Sequence, residues 1–219
     1  MNLAEYYSAR AEIYDEIYER DDPRRQAELE DLKTLVRNTF KARRVLEIAC
    51  GTGYWTSAVA SVAEHVTAVD ASEQMLRKAR ARVQGGNAEF LLDDAFTLEK
   101  VNGKFTGAMA FCWFSHVPRK RQQEFLKTLH RKLEPGSPIL LVDNSYMEGL
   151  GGELLPKDES GDTYKFRSLA GAGKVSVLKN YFSERELKSL FCLLDEKAQL
   201  DLDKCFWSVL YKTRANLTF

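Results

Sequence analysis

The sequence predicts a doubly wound α/β domain, and three observations carry that expectation. Val45-Leu-Glu-Ile-Ala49 is a mostly apolar, β-branched run suited to a strand buried on both faces, and it breaks at Gly51 and Gly53 into a helical pattern from Tyr54. A second short apolar strand, residues 66–70, ends in Asp70, 17 residues beyond Gly53. Apolar runs and helix-period segments then alternate as far as residues 139–144.

Taken in order, the chain opens with Tyr7, Ala11, Tyr14 and Tyr18 at helical spacing, an amphipathic stripe. Asp21-Asp22-Pro23 then starts a second helix, with Leu29, Leu32, Val36 and Phe40 on the face that covers the sheet. Strand, glycine turn and helix follow, the arrangement that receives a nucleotide in such sheets: the glycines let the backbone turn sharply, and the helix aims unpaired N–H groups at the ligand. Two details narrow the ligand. Thr56 stands where a dinucleotide fingerprint has its third glycine, and Glu47 lies inside the strand, where a carboxylate is costly to bury unless a cationic or N–H-rich group meets it.

Glu47-Ile-Ala-Cys-Gly51-Thr-Gly53 resembles the first motif of the class I S-adenosylmethionine-dependent methyltransferases, of the bacterial small-molecule type. The resemblance implies S-adenosylmethionine as cofactor, S-adenosylhomocysteine as its product, and no metal. The methionine half would run along Gly51 and Gly53, with Glu47 near its amino group through water. Asp70 matches the second motif, whose acid accepts from the ribose hydroxyls; the alternative is that it merely caps the helix after Ser72. Ala71 and Met75 correspond to the segment flanking the adenine. Asp93-Asp94-Ala95-Phe96, at the end of a third strand over residues 88–92, resembles the step in which Asp94 accepts from the adenine amino group and the Ala95 N–H meets a ring nitrogen. Asp93 should point the other way on an extended chain. Tyr14, Phe96 and Phe111 complete the cofactor set.

Residues 107–112 read as the fourth strand, and Trp113-Phe-Ser-His116 as a loop at its carboxyl end, where catalytic groups gather. A helix from Pro118 carries Phe125, Leu126, Leu129 and Leu133; Pro135-Gly136 stops it before the fifth strand, and Leu133-Glu-Pro-Gly136 again matches the family. Residues 164–169 and 174–179 alternate about Gly171-Ala-Gly173, the pattern of a hairpin. Ser183 and Glu186 form a capping box, and residues 198–202 and 206–212 close the sheet. The expected fold is a Rossmann-like seven-stranded sheet in the order 3-2-1-4-5-7-6, its last strand antiparallel, with an N-terminal helical lid and an inserted β-hairpin. The single domain divides into a cover (1–41), a cofactor-binding core (42–144), a substrate-side insertion (145–182) and closing elements (183–219). The resemblance is specific over residues 42–144 and extends to the C-terminal part in element order only.

With 44% hydrophobic residues the chain can bury a full core, and 32 basic against 32 acidic residues leave no basic stripe for nucleic acid. Arg119-Lys-Arg121 reads as a solvated helix start. No apolar run approaches ~18 residues, so no membrane span and a cytoplasmic protein are expected. The four cysteines read as buried free thiols, and the scattered histidines give a metal no site. A monomer and a homodimer both remain open.

The activity implied is methyl transfer to a small-molecule acceptor by direct in-line displacement. His116 is the candidate base, and Tyr7, Trp113, Tyr146, Tyr164 and Arg167 are candidates for the acceptor pocket. Arg167 or Lys179 would meet a substrate carboxylate. Tyr7 and Tyr14 suit a lid that is apolar toward a sulfonium and wet outside, the alternative being a permanently docked helix. Two other functions fit the strand–glycine–helix pattern: a nicotinamide-dependent oxidoreductase, against which Thr56 and Asp94-Ala95 count, and a non-catalytic S-adenosylmethionine-binding module, against which the intact motifs count.

Overall fold

The computed structural model describes residues 2–169 and 173–214. Its elements are α1 (Leu3–Arg10), α2 (Pro23–Phe40), β1 (Arg44–Ile48), α3 (Tyr54–Ala60), β2 (His65–Asp70), α4 (Glu73–Arg82), β3 (Ala88–Leu92), β4 (Gly107–Phe111), α5 (Gln122–Arg131), β5 (Pro138–Asn144), β6 (Tyr164–Leu169), β7 (Gly173–Leu178), α6 (Glu184–Phe191), β8 (Gln199–Leu202) and β9 (Phe206–Lys212). Seven strands form one sheet in the order β3-β2-β1-β4-β5-β9-β8, while β6 and β7 pair separately. Without that hairpin, the order is the expected 3-2-1-4-5-7-6. The pairs among β1 to β5 are parallel, and β9 runs antiparallel to both of its neighbours.

The central strands are mostly apolar because helices cover both faces of the sheet. Leu46, Ile48, Ala108, Ala110, Ile139 and Leu141 join one core with Phe125 and Leu129 of α5 and Leu187 of α6. Their alternate neighbours Val45, Met109, Leu140 and Val142 join a second core with Leu29, Val36 and Phe40 of α2. Side-chain caps set the helix starts: Asp22 accepts from the Arg24 and Arg25 N–H groups, Ser72 from Met75, and Ser183 and Glu186 form the capping box.

Several boundaries differ from the sequence reading. The N-terminal stripe is not one helix, since α1 gives way at Ala11 to a 3₁₀ segment that runs to Ile17. Its rings nonetheless converge, with Tyr14 edge-on to both Tyr7 and Tyr18. The helix after Pro118 begins as a 3₁₀ turn, Arg119–Arg121, and α5 proper starts at Gln122. Arg119 is no free solvated cation: its backbone N–H donates to Asp162 and its guanidinium to the Gly161 and Tyr181 carbonyls. Cys192, expected to be buried, is exposed. Among the described residues no helix is long and apolar enough to cross a membrane.

Candidate active site

Two adjoining cavities open at the carboxyl ends of the strands. The larger, of about 380 Å³, lies over β1, β2, β3 and β4; the smaller, of about 100 Å³, lies between the N-terminal segment, the ends of β4 and β5, and the hairpin. Tyr7, Tyr14, Cys112 and His116 line both.

The larger cavity gathers most of the residues expected around a cofactor. Tyr14, Gly51, Asp70, Ala71, Met75, Asp94, Ala95, Phe96 and Phe111 all line it. Gly51 has φ +56°, and a Cβ there would meet the Tyr14 ring at 3.7 Å, so the bare backbone leaves that side of the cavity open. Asp70 is not the helix cap, which Ser72 supplies; it accepts from the Gly51 N–H (2.9 Å) and the Ser72 N–H (2.9 Å) and so ties the glycine turn to the end of β2. Burial still raises its carboxyl to about 6, against the lowering effect of those N–H groups. Asp94 accepts from the Phe96 N–H, which shapes the turn, while Asp93 turns to the Asp94 and Lys100 N–H groups.

Two expected cofactor residues lie outside the lining. Gly53 (φ +77°) packs on α4, where a Cβ would come within 2.9 Å of the Ala79 Cα, so this glycine serves helix packing. Glu47 is buried inside β1; its Oε2 has no hydrogen-bond partner among the described residues, and burial pushes its carboxyl up to about 8. Lining residues that the sequence reading missed include Asn2, Leu3, Ala4, Pro118 and Arg121. Leu3 and Tyr7 are four apart on one helix, so periodicity could have found Leu3 from Tyr7.

The acceptor-side expectations divide. Tyr7 and Arg167 line the smaller cavity, whereas Trp113 lines the larger one, edge-on to Phe96 at 5.9 Å. Tyr146 and Tyr164 line neither. Tyr146 is 49% exposed and packs edge-on to Tyr181, and the Tyr164 hydroxyl donates to Asp158. Strand alternation explains Tyr164: it lies three residues from Arg167 on β6, hence on the opposite face of the hairpin.

At the junction His116 stands in a defined tautomer. Its Nδ1 must donate to the Leu178 carbonyl (2.6 Å), which leaves Nε2 to accept from the Tyr7 hydroxyl (2.8 Å). Burial and then the Lys179 charge hold its pKa well below the usual histidine value, so the ring is neutral at pH 7. Burial likewise keeps the Tyr7 phenol protonated. Behind them Lys179 donates to Asp143 (2.8 Å) and Ser115 (2.7 Å), and Asp143 accepts from the Ser115 N–H, so the hairpin stem is fastened to β5. The N-terminal segment is fastened too: Thr52 of the glycine turn donates to Asp15, which also pairs with Arg82, and Ser8 bonds Ser72 at 2.7 Å.

Residues 45–136, which span the glycine turn, the Asp70 and Asp94 ends and the His116 loop, match the family described as "Methyltransferase domain". Over this stretch the chain is therefore similar to methyltransferase domains. The chain is 35% identical over 105 residues to the demethylmenaquinone methyltransferase of Clavibacter sepedonicus, covering 47% of this chain and 41% of that one. It is 28% identical over 144 residues to YqeM of Bacillus subtilis (strain 168), covering 62% and 57%. The matched regions thus span only about half the length of these curated relatives. Among solved structures, the DhpI-SAM-HEP complex resembles the chain with a TM-score of 0.76 and 25% identity, over 96% of this chain and 98% of that one. The resemblance to DhpI therefore takes in the N-terminal segment and the hairpin, beyond residues 45–136.

Proposed function

We propose that this chain transfers a methyl group from S-adenosylmethionine to a small-molecule acceptor by direct in-line displacement, the cofactor in the larger cavity and the acceptor in the smaller. The observation that carries the reading is the meeting of the two cavities at Tyr7, Tyr14, Cys112 and His116. The larger cavity fits the cofactor: Gly51 keeps one side clear of side chain, the Asp70 and Asp94 carboxylates are hydrogen-bond acceptors, and the orphaned Glu47 oxygen beneath suits an ammonium reached through water. When bound, the cofactor supplies an electrophilic methyl on a sulfonium, and the C–S electron pair stays on sulfur as the new bond to the acceptor forms.

The chain's own contribution is to orient and to exclude water. Tyr7 and Tyr14 wall the junction with aromatic surface, and holding donor and acceptor in register in such a site is worth about 7–11 kcal/mol. His116 Nε2, released from Tyr7, is the atom that would hold a proton leaving the acceptor. Its depressed pKa makes it a weak base, which suits an acceptor that gives up its proton readily or arrives without one. Calorimetry tests the cofactor half: S-adenosylhomocysteine should bind and NAD should not. Asp70→Ala should weaken binding by about 1.5–3 kcal/mol, as for hydrogen bonds to a charged group. Equal affinity in a folded Asp70→Ala variant would reject the assignment.

A further inference from the structure

We infer that the smaller cavity is an oxyanion-binding chamber, and that the methyl acceptor is a compact anion seated by the guanidiniums of Arg10, Arg20, Arg25 and Arg167. This rests on the reading of the adjoining cavity as the methyl-donor site. All four arginines line the 100 Å³ cavity, and among the described residues no aspartate or glutamate lines it. Lys179 lines it as well, but Asp143 already neutralises that charge. Among the described residues none of the four arginines takes part in an ion pair, although the chain carries as many acidic as basic residues. Unpaired positive charge is therefore concentrated in this chamber.

Three of the guanidiniums are held in place without being neutralised. Arg25 is only 4% exposed; its Nε donates to the Ile17 carbonyl and its plane lies 4.5 Å from the Phe206 ring centre. Arg10 donates to the Tyr6 hydroxyl. Arg167 rests against a glycine backbone, where a Cβ at Gly151 would come within 2.4 Å of its Nη1. Arg20 feels the group from inside: burial first, then the like charges of Arg25, Arg167 and Arg10, lower its pKa. A guanidinium does not shed its proton at any working pH, so the repulsion is relieved only by an anion. Arginine forks suit carboxylate and phosphoryl oxygens alike, and that shared chemistry is the recognition inferred. The two cavities differ in sign: Asp70, Asp93 and Asp94 outnumber Arg121 around the larger, whereas the smaller is lined by arginines.

The test is calorimetric titration of inorganic phosphate, and separately of acetate, into the protein loaded with S-adenosylhomocysteine. Saturable binding of either anion is expected, and the tighter of the two names the acceptor's charged group. Arg20→Gln and Arg167→Gln should each weaken that binding about ten-fold or more while leaving the S-adenosylhomocysteine affinity unchanged. In anion-free buffer Arg20→Gln should melt no lower than the parent, since it relieves like-charge repulsion. Normal S-adenosylhomocysteine binding with no binding of either anion would overturn the inference alone, as would unaltered anion affinity in both variants or a lower melting temperature of Arg20→Gln. Failure of S-adenosylhomocysteine itself to bind would instead overturn the methyl-donor reading beneath it.

Discussion

At the scale of single residues, Glu47 is the side chain whose cost is plainest. A carboxyl with one orphaned oxygen inside β1 stays protonated up to about pH 8, whereas in the unfolded chain it ionises near 4.5. The folded state therefore holds the extra proton, and stability falls as pH rises through this window. Asp70, raised to about 6, acts in the same direction but is complete earlier, and the lowered His116 and His130 act only below about 6.5. Between pH 6.5 and 8 Glu47 thus dominates among these groups. Denaturant midpoints should decline over that range, and Glu47→Gln should abolish the decline; over its whole window the effect is on the order of 3–5 kcal/mol. A pH-independent midpoint in the parent would contradict the protonated state. The two glycines of the turn are told apart at this scale as well: Gly51 serves the cavity, and Gly53 the contact with Ala79.

Among the elements, the N-terminal segment is the one whose behaviour bears on turnover. α1 and the 3₁₀ segment that follows fully bury only Tyr6 and Ala11, with Leu3, Tyr7, Tyr14 and Ile17 partly buried against the cores, so polar contacts carry much of the attachment. These run from Tyr7 to His116, Ser8 to Ser72, Asp15 to Thr52 and Arg82, and Glu12 to Lys78. Such contacts open at low free-energy cost, as a lid over a cofactor requires. Hydrogen exchange should be fast over residues 3–17 in the free protein and slow with S-adenosylhomocysteine bound. Asp15→Ala should speed exchange in the free protein and weaken binding by about 1 kcal/mol. Equal protection with and without ligand would make the segment fixed structure.

Across the whole molecule, the hairpin acquires its place through one buried ion pair. The Lys179 and Asp143 side chains are 5% and 0% exposed, and they join the stem of β7 to the sheet while Asn180 donates to the Val117 carbonyl and Asp162. Removing one partner strands the other charge, so Lys179→Met should cost about 3–5 kcal/mol. A compensating Asp143→Leu in the same chain should recover part of that loss, because two apolar groups leave no charge unpaired. Unfolding curves of the single and double variants would check this, and a single variant as stable as the parent would mean that the pair does not hold the hairpin.

Most of the sheet was legible in the sequence because its signals are local. A continuous apolar run marks a strand buried on both faces, the glycines mark the turn, and an acid at a strand's end marks the cavity rim. The cofactor side follows from these motifs, since Gly51, Asp70, Asp94 and Ala95 come straight off consecutive strand ends. The smaller cavity is different in kind. Arg10, Arg20 and Arg25 lie more than a hundred residues from Arg167, and no periodicity links them. Alternation along β6 separates Tyr164 from Arg167, but which face turns inward is decided by the docking of the hairpin through Lys179. By itself the sequence determined the strands, their order and the rim that would hold a cofactor, because burial patterns act over a few residues at a time. Only the tertiary structure decided which charges share one chamber, because a field made by side chains from distant segments exists only once those segments are packed together.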